Sequence, residues 1–375
     1  MDIVGAKIRA SLVDVDGVAI RRIESKQTKS QSMRGRKILL LFVPLCLALT
    51  TCGSKVKVSQ EFLYDTAPFP QCHASTILEY PKGVLSVAFF GGEYESANNV
   101  CIYMCSKKIG ETVWSAPRKV AEDSLHACWN PVLFSPDDSR MMLFYKTGPH
   151  VPEWVGHVKT SYDGGQTWPE EVAFPAGMLG AIKDKPVMLS SGRIICPSSE
   201  EIRIPGQGKD AWSVHFEISD DGARTWRKVG PIEADDSVRV IQPTILVHKD
   251  GTLQALCRSS NGKLAVTYSH DDGETWSRIT LTDFPNNNSG IDVVTLPDGR
   301  FVMVANPVGT DWGERYPLCV YLSRDGRHWK EIANLAADPV EKGYCYPCVI
   351  YGSDGALHIA YTWDRIKIRY AKIEL

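Results

Sequence analysis

The sequence predicts an all-β fold: a six-bladed β-propeller of four-stranded antiparallel blades. Three observations predict it. A box of the form Ser-x-Asp-x-Gly-x-Thr-Trp recurs, a hairpin signal recurs in a second phase, and no stretch sustains a 3.6-residue apolar period. Two boxes are complete: Ser161, Asp163, Gly165, Thr167, Trp168 and Ser269, Asp271, Gly273, Thr275, Trp276. A third, Ser219 to Trp226, carries Ala223 in place of a glycine, and a fourth, Ser323 to Trp329, is one residue shorter. A worn copy runs from Ser106 to Trp114, and the five serines stand 55, 58, 50 and 54 residues apart.

The hairpin signals are Lys82-Gly83, Asp138-Ser139, Ser191-Gly192, Asp250-Gly251, Asp298-Gly299 and Asp354-Gly355, spaced by 48 to 59 residues. Gly or Asp at such tips supplies the positive φ that two-residue turns demand. A repeat of about 50 residues holding several short strands describes a propeller blade. In each box the Asp is placed to bond turn amides, the Gly to make the bend, and the Trp to pack between blades. Asp163, Asp221, Asp271 and Asp325 therefore read as structural despite their regularity. Six hairpins against five boxes give six blades. The last blade lacks a box, and a strand near Val56–Phe62 is expected to complete it and close the ring.

Composition excludes several function classes. The chain has 375 residues with 42 Lys+Arg against 44 Asp+Glu, a net charge of −2, so no concentrated basic face is available for nucleic acid. A hydrophobic content of 43% excludes a disordered chain. No cofactor is expected, because the chain holds neither a Gly-rich phosphate loop nor a His-Glu-x-x-His pair. The close pairs Cys101/Cys105 and Cys345/Cys348 lack a second ligand cluster, which argues against zinc. The cysteines read as small buried hydrophobes.

The amino terminus reads as an export signal. Met33 to Lys37 is basic, Ile38 to Ala48 is almost wholly apolar, and Leu49 to Ser54 is small and polar around Cys52. Cysteine at the cleavage point resembles the bacterial lipoprotein signal, with Cys52 as the lipidated residue; plain secretion is the alternative. Residues 1–32 fit no targeting pattern, and Met33 is the expected start. The organisation expected is thus signal 33–51, linker and ring-closing strand 52–61, and propeller 62–375. The protein is expected outside the cytoplasm, in the periplasm or at the cell surface, touching the membrane only through its lipid.

The boxes at about 54-residue spacing resemble those of the sialidase superfamily over roughly Phe62 to Leu375. That resemblance implies a site at the propeller axis, built at the ends of the inner strands. Polar residues interrupting those apolar segments are its candidates: His73, Glu93, Glu95, Asn130, Lys146, Lys185, Glu200, Gln242, Arg258, Asn288, Asn306, Arg315, Tyr344, Tyr346 and Arg365. Sialidases grip a sugar carboxylate with three arginines, whose guanidinium groups match it with paired hydrogen bonds. They attack with a tyrosine activated by a glutamate, and an aspartate serves as acid/base.

Position by position, Arg258 matches the second arginine and Arg315 the third. Tyr344 is expected as the nucleophile, with Tyr346 its competitor. The chain departs from the pattern at three places. His73 stands where the first arginine belongs, Gln242 where the activating glutamate belongs, and the acid/base aspartate has no clean match, Glu93 or Glu95 being the nearest carboxylate. Lys185, Lys146, Asn130, Glu200, Asn288 and Arg365 are expected as further substrate contacts. The implied function is exo-acting hydrolysis of a terminal acidic sugar from a glycan. Two alternatives stand beside it: a lyase acting on uronate polymers through His73, Arg258 and Tyr344, and a carbohydrate-binding propeller without catalysis that stacks sugars on aromatics such as Trp129, Trp154, Trp312 and Trp363.

Overall fold

A computed structural model describes residues 56–206, 208 and 210–375. The signal at 33–51, Cys52 and residues 1–32 lie outside the described residues. Among the described residues every sheet is four-stranded and antiparallel, and there are six. Blade one comprises β2 (Gln71–Glu79), β3 (Val84–Gly92), β4 (Cys101–Lys108) and β5 (Arg118–Ala121). Blade two comprises β6 (Cys128–Asp137), β7 (Arg140–Thr147), β8 (Val155–Ser161) and β9 (Glu170–Ala173). Blade three comprises β10 (Val187–Met188), β11 (Ile194–Ile202), β12 (Ala211–Ser219) and β13 (Arg227–Val229). Blade four comprises β14 (Val240–Val247), β15 (Leu253–Ser259), β16 (Lys263–Ser269) and β17 (Thr280–Pro285). Blade five comprises β18 (Asp292–Thr295), β19 (Phe301–Ala305), β20 (Leu318–Ser323) and β21 (Lys330–Ala336). Blade six joins β22 (Tyr344–Tyr351), β23 (Leu357–Trp363) and β24 (Lys367–Glu374) to β1 (Lys57–Phe62).

The closing strand is β1, paired in register with β24 from Lys57↔Glu374 to Phe62↔Arg369. Its side chains also tie blade six to both neighbours. Gln60 donates to the Leu335 carbonyl of blade five (2.9 Å), while Glu61 accepts the Trp114 indole N–H of blade one (2.9 Å) and pairs with the buried Lys107.

Each hairpin signal joins the first and second strands of a blade, and the tip glycines hold φ between 79° and 87°. The boxes form the turns between third and fourth strands. In blade four, Ser269 Oγ accepts the Gly273 amide (2.9 Å), and Asp271 accepts the Thr275 amide (2.9 Å) and hydroxyl (2.6 Å). In the shortened box His328 replaces the threonine, its ring meeting Asp325 at 2.6 Å. The box tryptophans pack backwards onto the preceding blade: Trp276 stacks on Phe216 at 3.8 Å, and Trp226 lies 6.1 Å from Phe144. The worn copy keeps this role, with Trp114 set edge-on to Tyr370 of blade six at 5.2 Å. The apolar core accordingly divides into six clusters, one per interface between blades. No helix of the described residues is long and apolar enough to cross a membrane.

Candidate functional site at the propeller axis

The inner strands are irregular where they enter the blades, at the end opposite the hairpin tips. Bulges interrupt the pairing of β2 between His73 and Thr76, of β6 between Trp129 and Val132, of β14 between Ile241 and Pro243, and of β22 between Cys345 and Cys348. Each bulge holds a non-glycine residue at positive φ: Ala74 (56°), Asn130 (34°), Gln242 (53°) and Tyr346 (51°). Asn288, just before β18, adopts 59°. Such conformations cost about 1–3 kcal/mol each and persist where surrounding structure over-determines them. A bulge re-aims the side chain it carries. Four of six blades use this device at the same end of the axis, and blade five places its positive-φ residue, Asn288, just ahead of the strand.

Tyr346 is the meeting point. Its phenolic oxygen accepts the Arg258 guanidinium (2.9 Å) and the Gln242 side-chain amide (3.1 Å). The same guanidinium nitrogen of Arg258 bonds the Gln242 carbonyl oxygen (3.1 Å), and its Nε donates to Asn288 Oδ1 (2.9 Å). Arg315 lies 6.0 Å from the Tyr346 ring and Lys183 Nζ 5.9 Å from it. The His73 ring packs 4.2 Å from that of Tyr346. Arg365, in the turn between β23 and β24, pairs with Glu95 of blade one (2.6 Å). Among the described residues, neither Arg258 nor Arg315 has a carboxylate at salt-bridge distance.

His73 registers this charge. Its imidazole is 1% exposed, with Nδ1 against the Thr362 hydroxyl (3.0 Å) and Nε2 buried without a partner. Burial, then Arg365, Arg315, Arg258 and Lys183, hold its pKa well below the ordinary histidine value. A neutral ring therefore occupies the place expected for the first arginine of the carboxylate clamp, and Arg365 brings a third guanidinium from another element.

Beneath the tyrosine the axis is filled by buried ion pairs. Lys183 bonds Asp184 (2.7 Å) and the Pro347 carbonyl (2.7 Å), and Lys185 bonds Asp292 (2.6 Å). Burial pushes the Asp184 carboxyl well above its usual range despite Lys183. Burial also acts to raise Asp292, but Lys185 and Lys183 outweigh it and hold that carboxyl low.

Several expected residues stand elsewhere. Tyr344 is a correction: its ring is buried in the cluster between blades five and six, and its hydroxyl donates to the Asp338 carbonyl (2.8 Å). Lys146 is fully buried and caps the carbonyls of Asn130 and Ala181, and burial lowers its pKa to about 7. Glu200 pairs with Lys228 (2.5 Å), Lys185 belongs to the axial ion pairs, and Glu93 is an exposed loop residue whose backbone amide bonds Asn99. Of the two loop glutamates it is Glu95 that reaches a cation of the site. The Asn130 side chain stays buried at its bulge, and Asn306 bonds the backbone at Pro317 and Tyr344. Sequence reasoning missed Lys183, and also Glu201, whose carboxylate accepts the Trp212 indole N–H (3.1 Å). All nine cysteines from Cys72 onward are free and buried.

A model of the BNR repeat-like domain matches residues 83–359. An anhydrosialidase from Macrobdella decora is 24% identical over 270 residues, covering 63% of this chain and 34% of that protein. The matched stretch thus spans about a third of the length of that curated relative. Among solved structures, a Dyadobacter fermentans protein of unknown function superposes with a TM-score of 0.71 at 18% identity, covering 85% of this chain and 99% of that one. Trypanosoma rangeli sialidase in complex with sialic acid gives 0.65 at 13% identity, covering 84% and 58%. A K499G mutant of NanB sialidase from Streptococcus pneumoniae gives 0.64 at 12%, covering 84% and 70%. At these identities the likeness is one of fold.

Proposed function

For a chain that belongs to the BNR repeat-like domain family, we propose an exo-acting glycoside hydrolase that removes a terminal acidic sugar, with Tyr346 as its nucleophile. The observation that carries the reading is the convergence of Arg258 and Arg315 on Tyr346 with no carboxylate of the described residues at salt-bridge distance from either. Cations held in a desolvated site without a counter-ion favour an anionic ligand. Arg258, Arg315 and Arg365 would bind the sugar carboxylate and place the anomeric carbon over Tyr346. Two N–H groups already point at the phenolic oxygen, so charge left there when the phenol gives up its proton is stabilised where it forms. Gln242 thus assists by donating a hydrogen bond, not by taking a proton.

The test is release of free acidic sugar from glycosides of sialic acid, related ulosonic acids and uronic acids. Tyr346→Phe is expected to lower kcat/KM by about 10³-fold or more, and Tyr344→Phe to leave it within about threefold. Release indifferent to Tyr346→Phe would remove the nucleophile, and the reading with it. Elimination on a uronate polymer has one observation in its favour, the unpartnered His73 Nε2 beside the tyrosine. Ultraviolet absorbance from a new C=C bond would mark it. The reaction is proposed to run outside the cytoplasm, where a signal at 33–51 would send the protein. A protein that Cys52→Ala releases from membranes would support the lipid anchor.

A further inference from the structure

In the proposed reaction the leaving oxygen needs a proton donor. The carboxylates around the axis are mostly committed: Glu95 to Arg365, Glu200 to Lys228, Asp184 to Lys183 and Asp292 to Lys185. Glu201 is not. Among the described residues no cation lies at ion-pair distance from it, and only one of its oxygens makes a hydrogen bond, accepting the Trp212 indole N–H at 3.1 Å.

Its position is set by β11. Two residues earlier, Ser199 Oγ accepts the backbone amide of Gln242 (3.1 Å), so this end of blade three abuts the residue that bonds Tyr346. The Trp212 ring lies 5.9 Å from the Arg258 guanidinium and 4.4 Å from that of Arg239. Glu201 is therefore one indole away from the Arg258–Tyr346 pair. It also lines a cavity of about 460 Å³ shared with Trp154, Leu179 and Arg203, space into which a departing group fits. Burial holds the Glu201 carboxyl above its usual range, against the pull of Arg258 and Arg239. That is the state a general acid requires.

We infer that Glu201 donates the proton to the leaving oxygen, with the adjoining cavity receiving the leaving group. The inference rests on the glycosidase reading. In the first step the bond from Tyr346 Oη to the anomeric carbon forms, the glycosidic C–O bond breaks, and the Glu201 proton passes to the leaving oxygen. The phenolic proton goes to solvent water. In the second step a water attacks the anomeric carbon and returns a proton to Glu201. Tyr346 departs as a phenolate held by Arg258 and Gln242, and recovers its proton from solvent.

The experiment compares two glycosides of one acidic sugar, one leaving as a nitrophenol and the other as a sugar alcohol. Glu201→Gln is expected to lose about 10²–10⁴-fold on the sugar-leaving substrate and less than about 10-fold on the nitrophenyl one. The fall in rate as pH rises through the acid's titration should vanish in the variant. Glu201→Asp, which keeps an acid, should recover part of the lost rate. Equal loss on both glycosides by an active protein overturns the Glu201 assignment alone. A wild type that cleaves neither glycoside overturns the glycosidase reading and takes this inference with it.

Discussion

The conformation of Tyr346 sets where its hydroxyl points. Tyr344 and Tyr346 share one side of β22 by strict alternation, but the bulge after Cys345 and the 51° φ of Tyr346 send its hydroxyl to the axis. The sequence carried a signal for this that composition and spacing alone do not expose. Asn130, Gln242 and Tyr346 each precede a proline at the same phase of three blades, and each holds positive φ. His73 has a consequence for stability at the same scale. Its folded-state pKa lies below the value of about 6.5 expected in the unfolded chain, so between the two the unfolded state binds the extra proton. Unfolding free energy should then fall as pH drops below about 6.5, by up to about 1.4 kcal/mol per pH unit from this one group. His157 and His358, whose pKa values burial also lowers, add to the slope. Chemical denaturation between pH 5 and 7 should show a shallower slope for His73→Gln. An unchanged slope would mean that His73 is not held neutral in the folded protein.

At the scale of elements, the boxes and the bulged strands divide the labour. A box sits at the turn between a blade's outer strands and holds it to its neighbour; a bulge sits at the axis and aims a side chain at the candidate site. Ser269 is 1% exposed and accepts the buried Gly273 amide, so Ser269→Ala leaves that donor without an acceptor. The expected cost is about 1–2 kcal/mol in denaturant unfolding, with kcat/KM unchanged. A large loss of activity at preserved stability would contradict the division. The fold was legible because each box and hairpin is local chemistry: a turn needs its Asp, Gly and Ser wherever it stands. Arg258 and Arg315 were legible through their fixed places relative to those turns. Lys183 and Glu201 were not, because the neighbours that give them meaning come from other blades: Pro347 and Ile291 for the lysine, Arg258 for the glutamate.

At the scale of the whole propeller, the described residues form a closed ring of six blades whose centre holds two guanidinium groups, Arg258 and Arg315, with no carboxylate at salt-bridge distance. Closure by β1 matters to that centre, since Arg365 and Tyr346 belong to the blade that the strand completes, while Arg258 and Gln242 belong to blade four. The clamp exists only if the ring is shut. Its purpose, neutralising an anionic sugar beside Tyr346, is the central claim, and calorimetric titration with an acidic monosaccharide against its methyl ester tests it most directly. The account predicts that the free carboxylate binds about 10- to 100-fold more tightly than the ester, and that Arg258→Ala abolishes the difference. Equal affinity for acid and ester in the unaltered protein would contradict it.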